Sequence, residues 1–203
     1  MSFITFEGID CSGKTTQIAL LKERFASNKN IVFTSNPGDT HLGNELRKIL
    51  LHRSNLKVSG INEVFLFFAG ILDNYEKIIL PTLSQGKIVF CDRYYDSTIA
   101  YQGFGHGLDV GKIIKLLEVS ALPEPNLTFL FRIIYSDFSL RSQKKEKKDK
   151  IENLKEQFYA GVIEGYDELA KIYKNRYIIL DGTKPIEVLQ KEIIEILKEK
   201  LGI

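Results

Sequence analysis

The segment at residues 8–15 constrains the fold of this chain more than any other feature. It reads Gly-Ile-Asp-Cys-Ser-Gly-Lys-Thr and lies between an apolar, strand-like run at 3–6 and an amphipathic run at 16–25. This order is typical of a phosphate-binding loop (P-loop), in which backbone N–H groups and Lys14 contact nucleotide phosphates and the Thr15 hydroxyl binds Mg²⁺. A glycine turn that matches by chance is the alternative, and the strand-loop-helix setting argues against it. The expected nucleotide contacts are Gly8, Ile9, Asp10, Cys11, Ser12, Gly13, Lys14, Thr15 and Thr16.

The composition limits the classes of partner. A chain of 203 residues suits a single domain spanning 1–203, and 28 Lys+Arg against 26 Asp+Glu give a formal net charge of +2. That balance does not favour binding of a nucleic acid polymer. We see no signal peptide and no apolar run of about 18 residues, so we expect a cytoplasmic protein without a membrane partner. The placement of Cys11 and Cys91 predicts free thiols.

Short apolar runs alternate with longer amphipathic runs along the chain. The expected strands are 3–6, 31–34, 88–91, 127–131 and 177–180, and the expected helices after the P-loop helix are 40–51, 61–80, one capped by Asp109, 151–173 and 185–201. Strands separated by helices predict right-handed crossovers and a parallel sheet with helices on both faces, which is a three-layer α/β fold. Ligands of such sheets bind beyond the carboxyl ends of the strands.

An acid and an arginine follow the third expected strand directly. Asp92 closes the run 88–91, so it should lie at the same edge of the sheet as the P-loop, where an acid can organise Mg²⁺. An acid that merely terminates a strand is an equally good interpretation of Asp92 taken alone. Arg93 carries a planar guanidinium that can hold phosphate through two hydrogen bonds. The pair therefore indicates a metal-side acid beside an anion-binding group.

The stretch 92–103 is the most specific part of a family resemblance. It reads Asp-Arg-Tyr-x-x-Ser-x-x-Ala-Tyr-Gln-Gly, and together with the P-loop it resembles bacterial thymidylate kinases. Further blocks follow the family pattern in the same order at 36–40 with 45–47, at 66–69 and at 162–166. The resemblance covers nearly the whole chain.

The resemblance implies both a fold and an activity. The family has a P-loop nucleoside monophosphate kinase fold with a five-stranded parallel sheet, and it transfers the γ-phosphoryl group of ATP to dTMP for dTTP synthesis. Mg²⁺ would be held near Thr15 and Asp92. The resemblance also implies a homodimer, formed through apolar helix faces such as 65–72.

The resemblance also implies which side chains bind the acceptor nucleotide. Arg47 and Arg93 would grip its phosphate, and positioning of this kind is most of the catalysis in phosphoryl transfer. Phe67 would stack on thymine. Taken alone, Phe67 reads as a core residue and Arg47 as a solvated helix residue. The other implied substrate contacts are Asp10 at the sugar 3′-hydroxyl, Tyr101 where a 2′-hydroxyl would lie, Thr98 and Gln102 at the base edge, and Ser97 in the same motif.

A lysine-rich segment occupies the place of the family's lid, at about 141–152. Its run 144–150 has five lysines and reads as a mobile loop, with Lys145, Lys147 and Lys148 expected on a solvated surface. Because the P-loop lacks a basic residue after Asp10, the lid should supply charge to the transferred group. Arg141 is the first candidate and Lys150 the second, so that the implied catalytic residues are Lys14, Asp92, Arg93, Arg141 and Lys150.

The chain departs from the family pattern near the acceptor. Residues 35–40 read Ser-Asn-Pro-Gly-Asp-Thr where the family usually has Arg-Glu-Pro-Gly-Gly-Thr, and Ile71 stands where an arginine is expected four residues after Phe67. Ile71 cannot form a side-chain hydrogen bond. Either Asp73 or Asn74 replaces the missing arginine, or base recognition is looser.

Three alternatives to dTMP phosphorylation stay open. A kinase for dUMP, CMP or a purine monophosphate would keep the same loop and lid, because a pocket discriminates one methyl group by only ~1–3 kcal/mol. A GTPase switch is disfavoured since no Asn-Lys-x-Asp guanine signature occurs. A non-catalytic nucleotide-binding protein is disfavoured by the intact set Lys14, Thr15, Asp92 and Arg93.

Overall fold

The computed structural model describes residues 1–52, 56, 58–143 and 156–203. The strands are β1 (Ser2–Glu7), β2 (Ile31–Ser35), β3 (Ile88–Asp92), β4 (Leu127–Arg132) and β5 (Tyr177–Asp181). The helices are α1 (Lys14–Arg24), α2 (His41–Arg47), α3 (Ile61–Asn74), α4 (Leu80–Ser84), α5 (Tyr95–Thr98), α6 (Val110–Ser120), α7 (Tyr135–Ser142), α8 (Glu156–Ile172) and α9 (Ile186–Leu201). Within this part of the chain, none of the helices is long and apolar enough to cross a membrane.

The strands form one parallel sheet in the order β2-β3-β1-β4-β5, which confirms the predicted α/β fold with five strands. β1 lies in the centre, and its Phe6 is in register with Asp92 of β3 and with Phe129 of β4. Because the strands are parallel, their carboxyl ends meet at one edge. The P-loop after β1 and Asp92 at the end of β3 are therefore neighbours, as the sequence predicts.

Side chains alternate between the two faces of the sheet and form a core on each side. Phe3 of β1 packs into the core that includes α3, α6 and α8, whereas Ile4 and Phe6 pack into the core that includes α1 and α9. Burial on both faces explains the near-continuous apolar character of these strands. Helices on both faces complete the three layers and hold the carboxyl edge in place.

The predicted helices mostly form, with two additions. The helix expected at 61–80 continues through a π-helical segment, Tyr75–Ile79, into α4, where Pro81 is tolerated because it lies at the start of that element. Asp109 caps α6 as predicted, through a hydrogen bond from Lys112 N–H. α5 and α7 were not predicted, because α5 has a single turn and α7 mixes short polar residues with few apolar ones. α2 likewise continues into a π-helical segment, Lys48–His52, and α5 into another, Ile99–Gly105.

A buried ion pair fixes α5 to the sheet. Arg176, just before β5, donates to both carboxylate oxygens of Asp96 at 2.7 and 2.8 Å and to the Thr128 hydroxyl at 2.6 Å. Both charged side chains are almost fully buried. The two parallel hydrogen bonds give the pair the geometry that offsets the desolvation of buried charges. The turn that begins right after Arg93 is thereby held against the sheet.

Two mid-helix glycines give a matched test of the packing. A Cβ at Gly161 of α8 would lie 2.6 Å from the carbonyl oxygen of Phe104, whereas at Gly70 of α3 the nearest atom would be 3.6 Å away. Gly161→Ala should lower the free energy of unfolding by about 1–3 kcal/mol through overpacking. Gly70→Ala should raise it by up to ~1 kcal/mol through helix propensity. Denaturant unfolding measures both, and equal effects of the two substitutions would contradict this close approach of α8.

Candidate active site

The P-loop turns through backbone conformations that favour glycine. Gly8 has φ 132° and Gly13, just before α1, has φ 101°. A Cβ at Gly8 would clash with the carbonyl oxygen of Phe131 on β4. Lys14 Nζ donates to the carbonyl oxygens of Gly8 at 3.1 Å and Ile9 at 3.3 Å, so its side chain folds back over the loop. The loop thus combines a tight turn with one buried ammonium group.

The ammonium group of Lys14 lies among other charges. Burial, together with the positive charge of Arg93, lowers the pKa of Lys14 to about 8, against the opposing effect of Asp92, Asp10 and Glu7. Phosphate groups in the loop would add negative charge and favour the charged form of the lysine. A bound phosphate would therefore stabilise the lysine charge that burial disfavours.

Two cavities adjoin at the carboxyl edge of the sheet. The loop cavity is lined by residues 10–16 of the P-loop and by Asp92, and the helix cavity lies between α3 and the segment formed by α5 and Ile99–Gly105. Four residues line both cavities, namely Asp10, Asn36, Arg47 and Arg93. Both arginines predicted to grip an acceptor phosphate therefore lie where the two cavities meet.

Arg93 occupies the centre of this junction. Its backbone has φ 65°, in the left-handed region, and its guanidinium donates to Asp10 at 2.7 Å and to the Tyr101 hydroxyl at 3.2 Å. The other terminal nitrogen donates to Ser97 at 3.1 Å and to Tyr166 at 3.3 Å. Four hydrogen bonds from one side chain fix the orientation of the guanidinium plane.

A buried carboxylate controls two of these contacts. Glu7, fully buried at the end of β1, accepts from Tyr94 N–H at 2.7 Å and from the hydroxyls of Ser97 at 2.6 Å and Tyr166 at 2.9 Å. A hydroxyl has one proton, so a hydroxyl that donates to Glu7 can only accept from Arg93. Burial and the negative charge of Asp96 raise the pKa of Glu7 to about 7, against the opposing effect of the Ser97 hydrogen bond and of Arg93. The hydroxyls of Ser97 and Tyr166 are also 2.8 Å apart, and either can donate to the other. Ionised Glu7 therefore acts as the common acceptor of this hydroxyl pair.

The helix cavity has an apolar wall and a polar wall. Phe67 and Ile71, one turn apart on α3, form the apolar wall together with Leu51, and Thr98 and Gln102 lie on the polar wall. Aromatic and aliphatic side chains facing amide and hydroxyl groups suit a flat base with a polar edge. Phe67, which the sequence predicts to stack on a base, lines this cavity.

The hypothesis that Asp73 or Asn74 replaces the missing arginine was wrong for the cavity described here. Asp73 pairs with Lys77 at 2.5 Å, and burial and hydrogen bonds commit Asn74 to the Thr34 hydroxyl at 2.7 Å. Neither of the two lines the helix cavity, whereas Ile71 does. The helical period directs Asp73, two positions after Ile71, to another side of α3. Asn74 is three positions after Ile71, and its amide is instead committed to Thr34 and to the carbonyl oxygens of Ser35 and Gly38.

Arg141 lies on the outer side of the P-loop. It donates to the carbonyl oxygens of Cys11 at 3.1 Å and Gly182 at 2.9 Å, and it lines a third cavity with Lys184 and Gln17. It does not line the loop cavity, so the structure does not bring it to the group that would be transferred. Lys150 and the rest of the predicted lid from residue 144 onward lie outside the described residues.

The donor set at the loop cavity fits one magnesium ion. Asp92 Oδ1 is buried and makes no hydrogen bond to the described residues, and both Asp92 and Thr15 line this cavity. Mg²⁺ usually takes only one or two protein oxygens and keeps water and substrate phosphates as its other ligands. Accordingly, the described residues contain no cluster of three or more His, Cys, Asp or Glu that could bind a metal unaided.

Most of the sequence-predicted side chains meet at the two cavities. Gly8 and Ile9 instead contribute carbonyl oxygens that accept from Lys14, outside the lining of the loop cavity. Sequence reasoning did not assign roles to Glu7 or Tyr166. For Glu7 the available signal was an acid at the end of a mostly apolar strand, directly before the P-loop, and for Tyr166 it was the family-like block at 162–166.

A P-loop at the centre of a parallel sheet, joined through two arginines to a cavity for a flat base, defines a P-loop kinase of the nucleoside monophosphate class. The family model described as thymidylate kinase matches residues 6–193, and the chain belongs to that family.

Individual relatives match nearly the whole length of the chain. The chain is 40% identical over 201 residues to a thymidylate kinase of Sulfurihydrogenibium sp. (strain YO3AOP1), covering 98% of this chain and 97% of the relative. It is 38% identical over 206 residues to that of Kosmotoga olearia, covering 98% of each chain. A crystal structure of thymidylate kinase from Ehrlichia chaffeensis superposes with a TM-score of 0.78 at 34% identity, covering 97% of this chain and 98% of that one.

The stability of the protein should depend on pH through Glu7. Because folding raises the pKa of Glu7 from 4.5 to about 7, the folded chain holds a proton that the unfolded chain releases, so this contribution is present below pH 4.5 and is lost as the pH rises through 7. The free energy of unfolding should fall by up to ~1.4 kcal/mol per pH unit in that window. Glu7→Gln should remove this slope in denaturant unfolding between pH 5 and 8. Parallel pH curves for both proteins would contradict the assignment.

The hydroxyl of Tyr166 should matter for binding of the acceptor. Tyr166→Phe removes one acceptor of Arg93 and one donor to Glu7, so the affinity for a nucleoside monophosphate should fall about 10-fold, as for one hydrogen bond to a charged group. The affinity for ATP should stay within about twofold. Tyr173→Phe, at the end of the same helix, is the matched control. Calorimetric titration of each variant decides, and an unchanged monophosphate affinity in Tyr166→Phe would exclude this role.

Proposed function

We propose that this chain transfers the γ-phosphoryl group of ATP to dTMP, giving ADP and dTDP. The observation that carries the proposal is the junction of the two cavities, where Arg47 and Arg93 line both the loop cavity and the helix cavity. A phosphate held there would stand next to the terminal phosphate of a nucleotide in the P-loop. In the reaction, the bond from the γ-phosphorus to ADP breaks and a bond to an oxygen of the dTMP phosphate forms.

The donor side consists of the P-loop and the groups around it. Backbone N–H groups of 10–16 and the Lys14 ammonium would bind the β- and γ-phosphates. Thr15 and Asp92 would hold Mg²⁺, which neutralises charge on the phosphates when bound. Arg141 would position the loop through its bond to the Cys11 carbonyl and border the ATP base near Gly182. Lys14 and Arg93 would then supply the positive charge that stabilises the transferred phosphoryl group. A contribution of Lys150 stays a prediction.

The acceptor side is organised by Arg93 and Asp10. Arg47, whose guanidinium donates to the Pro37 carbonyl at 3.0 Å, would share the acceptor phosphate with Arg93. Asp10 is a carboxylate beside expected phosphates, and its ion pair with Arg93 offsets the repulsion. Asp10 also accepts from the Tyr101 hydroxyl at 3.0 Å, so both side chains would meet the sugar. Ser97 acts on the phosphate through Arg93.

The base would lie in the helix cavity. Phe67 would stack on thymine, while Ile71 contributes contact area and no hydrogen bond. Thr98 and Gln102 would bind the polar edge. Because thymine differs from uracil by one methyl group, dUMP is the nearest competing acceptor, with a difference of ~1–3 kcal/mol.

Oligomeric state and location complete the proposal. Phe65 and Ile61 of α3 are 53% and 42% exposed, and two such apolar faces could pack against each other in a homodimer. The reaction supplies DNA precursors at the expense of ATP, so we propose the cytoplasm as its location. No nucleic acid polymer is required.

A panel of acceptors tests the activity. Release of ADP from ATP and Mg²⁺ should be fastest with dTMP, measured as kcat/KM against dUMP, dCMP and dGMP in a coupled assay. Arg93→Ala should lower kcat/KM for dTMP by ~10²–10³, the scale for removal of a preorganised charge at a transition state, and leave the affinity for ATP within about twofold. Faster turnover of another acceptor would refute the dTMP assignment, and full activity of Arg93→Ala would refute the acceptor site.

A further inference from the structure

The side-chain amide of Gln102 contacts a carboxylate on the side away from the helix cavity. Gln102 lies in the π-helical segment Ile99–Gly105, is 1% exposed and lines the helix cavity. Its Nε2 lies 3.5 Å from Oε2 of Glu63, a residue in the first turn of α3 that does not line this cavity. The amide therefore lies between a carboxylate and the space that a base would occupy.

The carboxylate decides which way the amide faces. An ionised carboxylate can only accept hydrogen bonds, whereas an amide has one donating and one accepting end. The NH₂ group of Gln102 must therefore face Glu63, and its carbonyl oxygen is the atom left for a ligand. His106 Nε2 lies 3.7 Å from the same oxygen of Glu63, and the His106 ring packs on Phe158 at 4.7 Å between centroids. Gln102 and His106 are thus both neighbours of the Glu63 carboxylate.

The orientation of this amide bears on base selection. Thymine and uracil carry an N–H at ring position 3, whereas cytosine carries an unprotonated nitrogen there. A fixed carbonyl oxygen accepts a hydrogen bond from the N3–H of thymine or uracil. Against cytosine it faces the lone pair of N3, which is repulsive. The hydroxyl of Thr98 can donate or accept, and Phe67 and Ile71 form no side-chain hydrogen bond. None of these three residues can therefore distinguish thymine or uracil from cytosine.

We propose that Glu63 is a positioning residue that fixes the Gln102 amide and thereby makes the helix cavity select imide bases over cytosine. The inference rests on the proposed function, and it adds the residue pair that would select thymine and uracil over cytosine. A site built around a fixed hydrogen-bond group rejects an analogue that leaves the group unpaired by up to ~10⁴-fold. Selection between dTMP and dUMP is independent of Glu63, because the amide does not sense the methyl group.

The test compares ratios of kcat/KM in variants that keep the size of the side chain. Glu63→Met removes the carboxylate, and Glu63→Gln keeps an acceptor but adds a donor, so that both orientations of Gln102 become possible. The dTMP:dCMP ratio should fall at least ~10-fold in Glu63→Met, the scale of one hydrogen bond to a charged group, and by a smaller factor in Glu63→Gln. The change should appear mainly in KM, and the dTMP:dUMP ratio should stay within about twofold. Glu76→Gln, an exposed position on the same continuous helical run, is the control.

The outcomes separate this inference from the proposed function. General damage to the fold would lower the rates for all acceptors together and leave the ratios unchanged, and unchanged dTMP:dCMP ratios in both variants would overturn the role of Glu63 while dTMP turnover stands. If Glu63→Met does not fold, Glu63→Gln and calorimetric binding of dTMP and dCMP give the same ratio. A wild-type protein that forms no ADP with dTMP would instead overturn the function itself.

Discussion

The ion pair between Arg93 and Asp10 joins the P-loop to the end of β3, and the geometry of both cavities depends on it. Its atoms are 2.7 Å apart, and the left-handed backbone of Arg93 turns the side chain back toward the loop. Hydrogen bonds to three hydroxyl groups hold the same guanidinium from the other side. A guanidinium that is already oriented loses little conformational freedom when it binds phosphate. More of the binding free energy is therefore available to position that phosphate.

The charges around this pair are arranged so that none is buried alone. Lys14 and Arg93 stand against Asp10, Asp92 and Glu7, and their mutual attraction offsets the cost of taking each of them out of water. Glu7 is the least compensated, and its raised pKa reflects this. ATP and a monophosphate add negative charge, while Mg²⁺ adds positive charge. Mg²⁺ therefore offsets part of the negative charge that the nucleotides bring.

The sequence alone predicts the parts of the molecule that depend on local pattern. The P-loop, the parallel sheet and the position of Asp92 follow from short motifs and from the alternation of strands and helices, and the structure agrees with them. The network around Glu7 could not be predicted in this way, because its members Ser97 and Tyr166 are 90 and 159 positions away along the chain.

Side-chain direction set a second limit on prediction from sequence. Asp73 and Asn74 are close to Ile71 in sequence, but neither lines the cavity. The helical rotation directs Asp73 away, and hydrogen bonds to Thr34, Ser35 and Gly38 hold Asn74. Arg141 has the charge expected of a lid residue, and two backbone carbonyls determine where that charge lies. Residue type and spacing identified Asp73, Asn74 and Arg141 as candidate site residues. Their hydrogen-bond partners, which the sequence does not show, determine where each side chain lies.

The two walls of the helix cavity differ in backbone regularity as well as in polarity. α3 is a regular helix at Phe67 and Ile71, so residues one turn apart present a smooth apolar face. The opposite wall passes from α5 into the π-helical segment Ile99–Gly105, and Ser97, Thr98 and Gln102 of this wall line the cavity. Gln102 follows Thr98 by one helical turn, so their polar groups share one surface of this wall. With isoleucine in place of an arginine on α3, hydrogen bonding to the base falls to this irregular wall, and the regular wall supplies contact area alone.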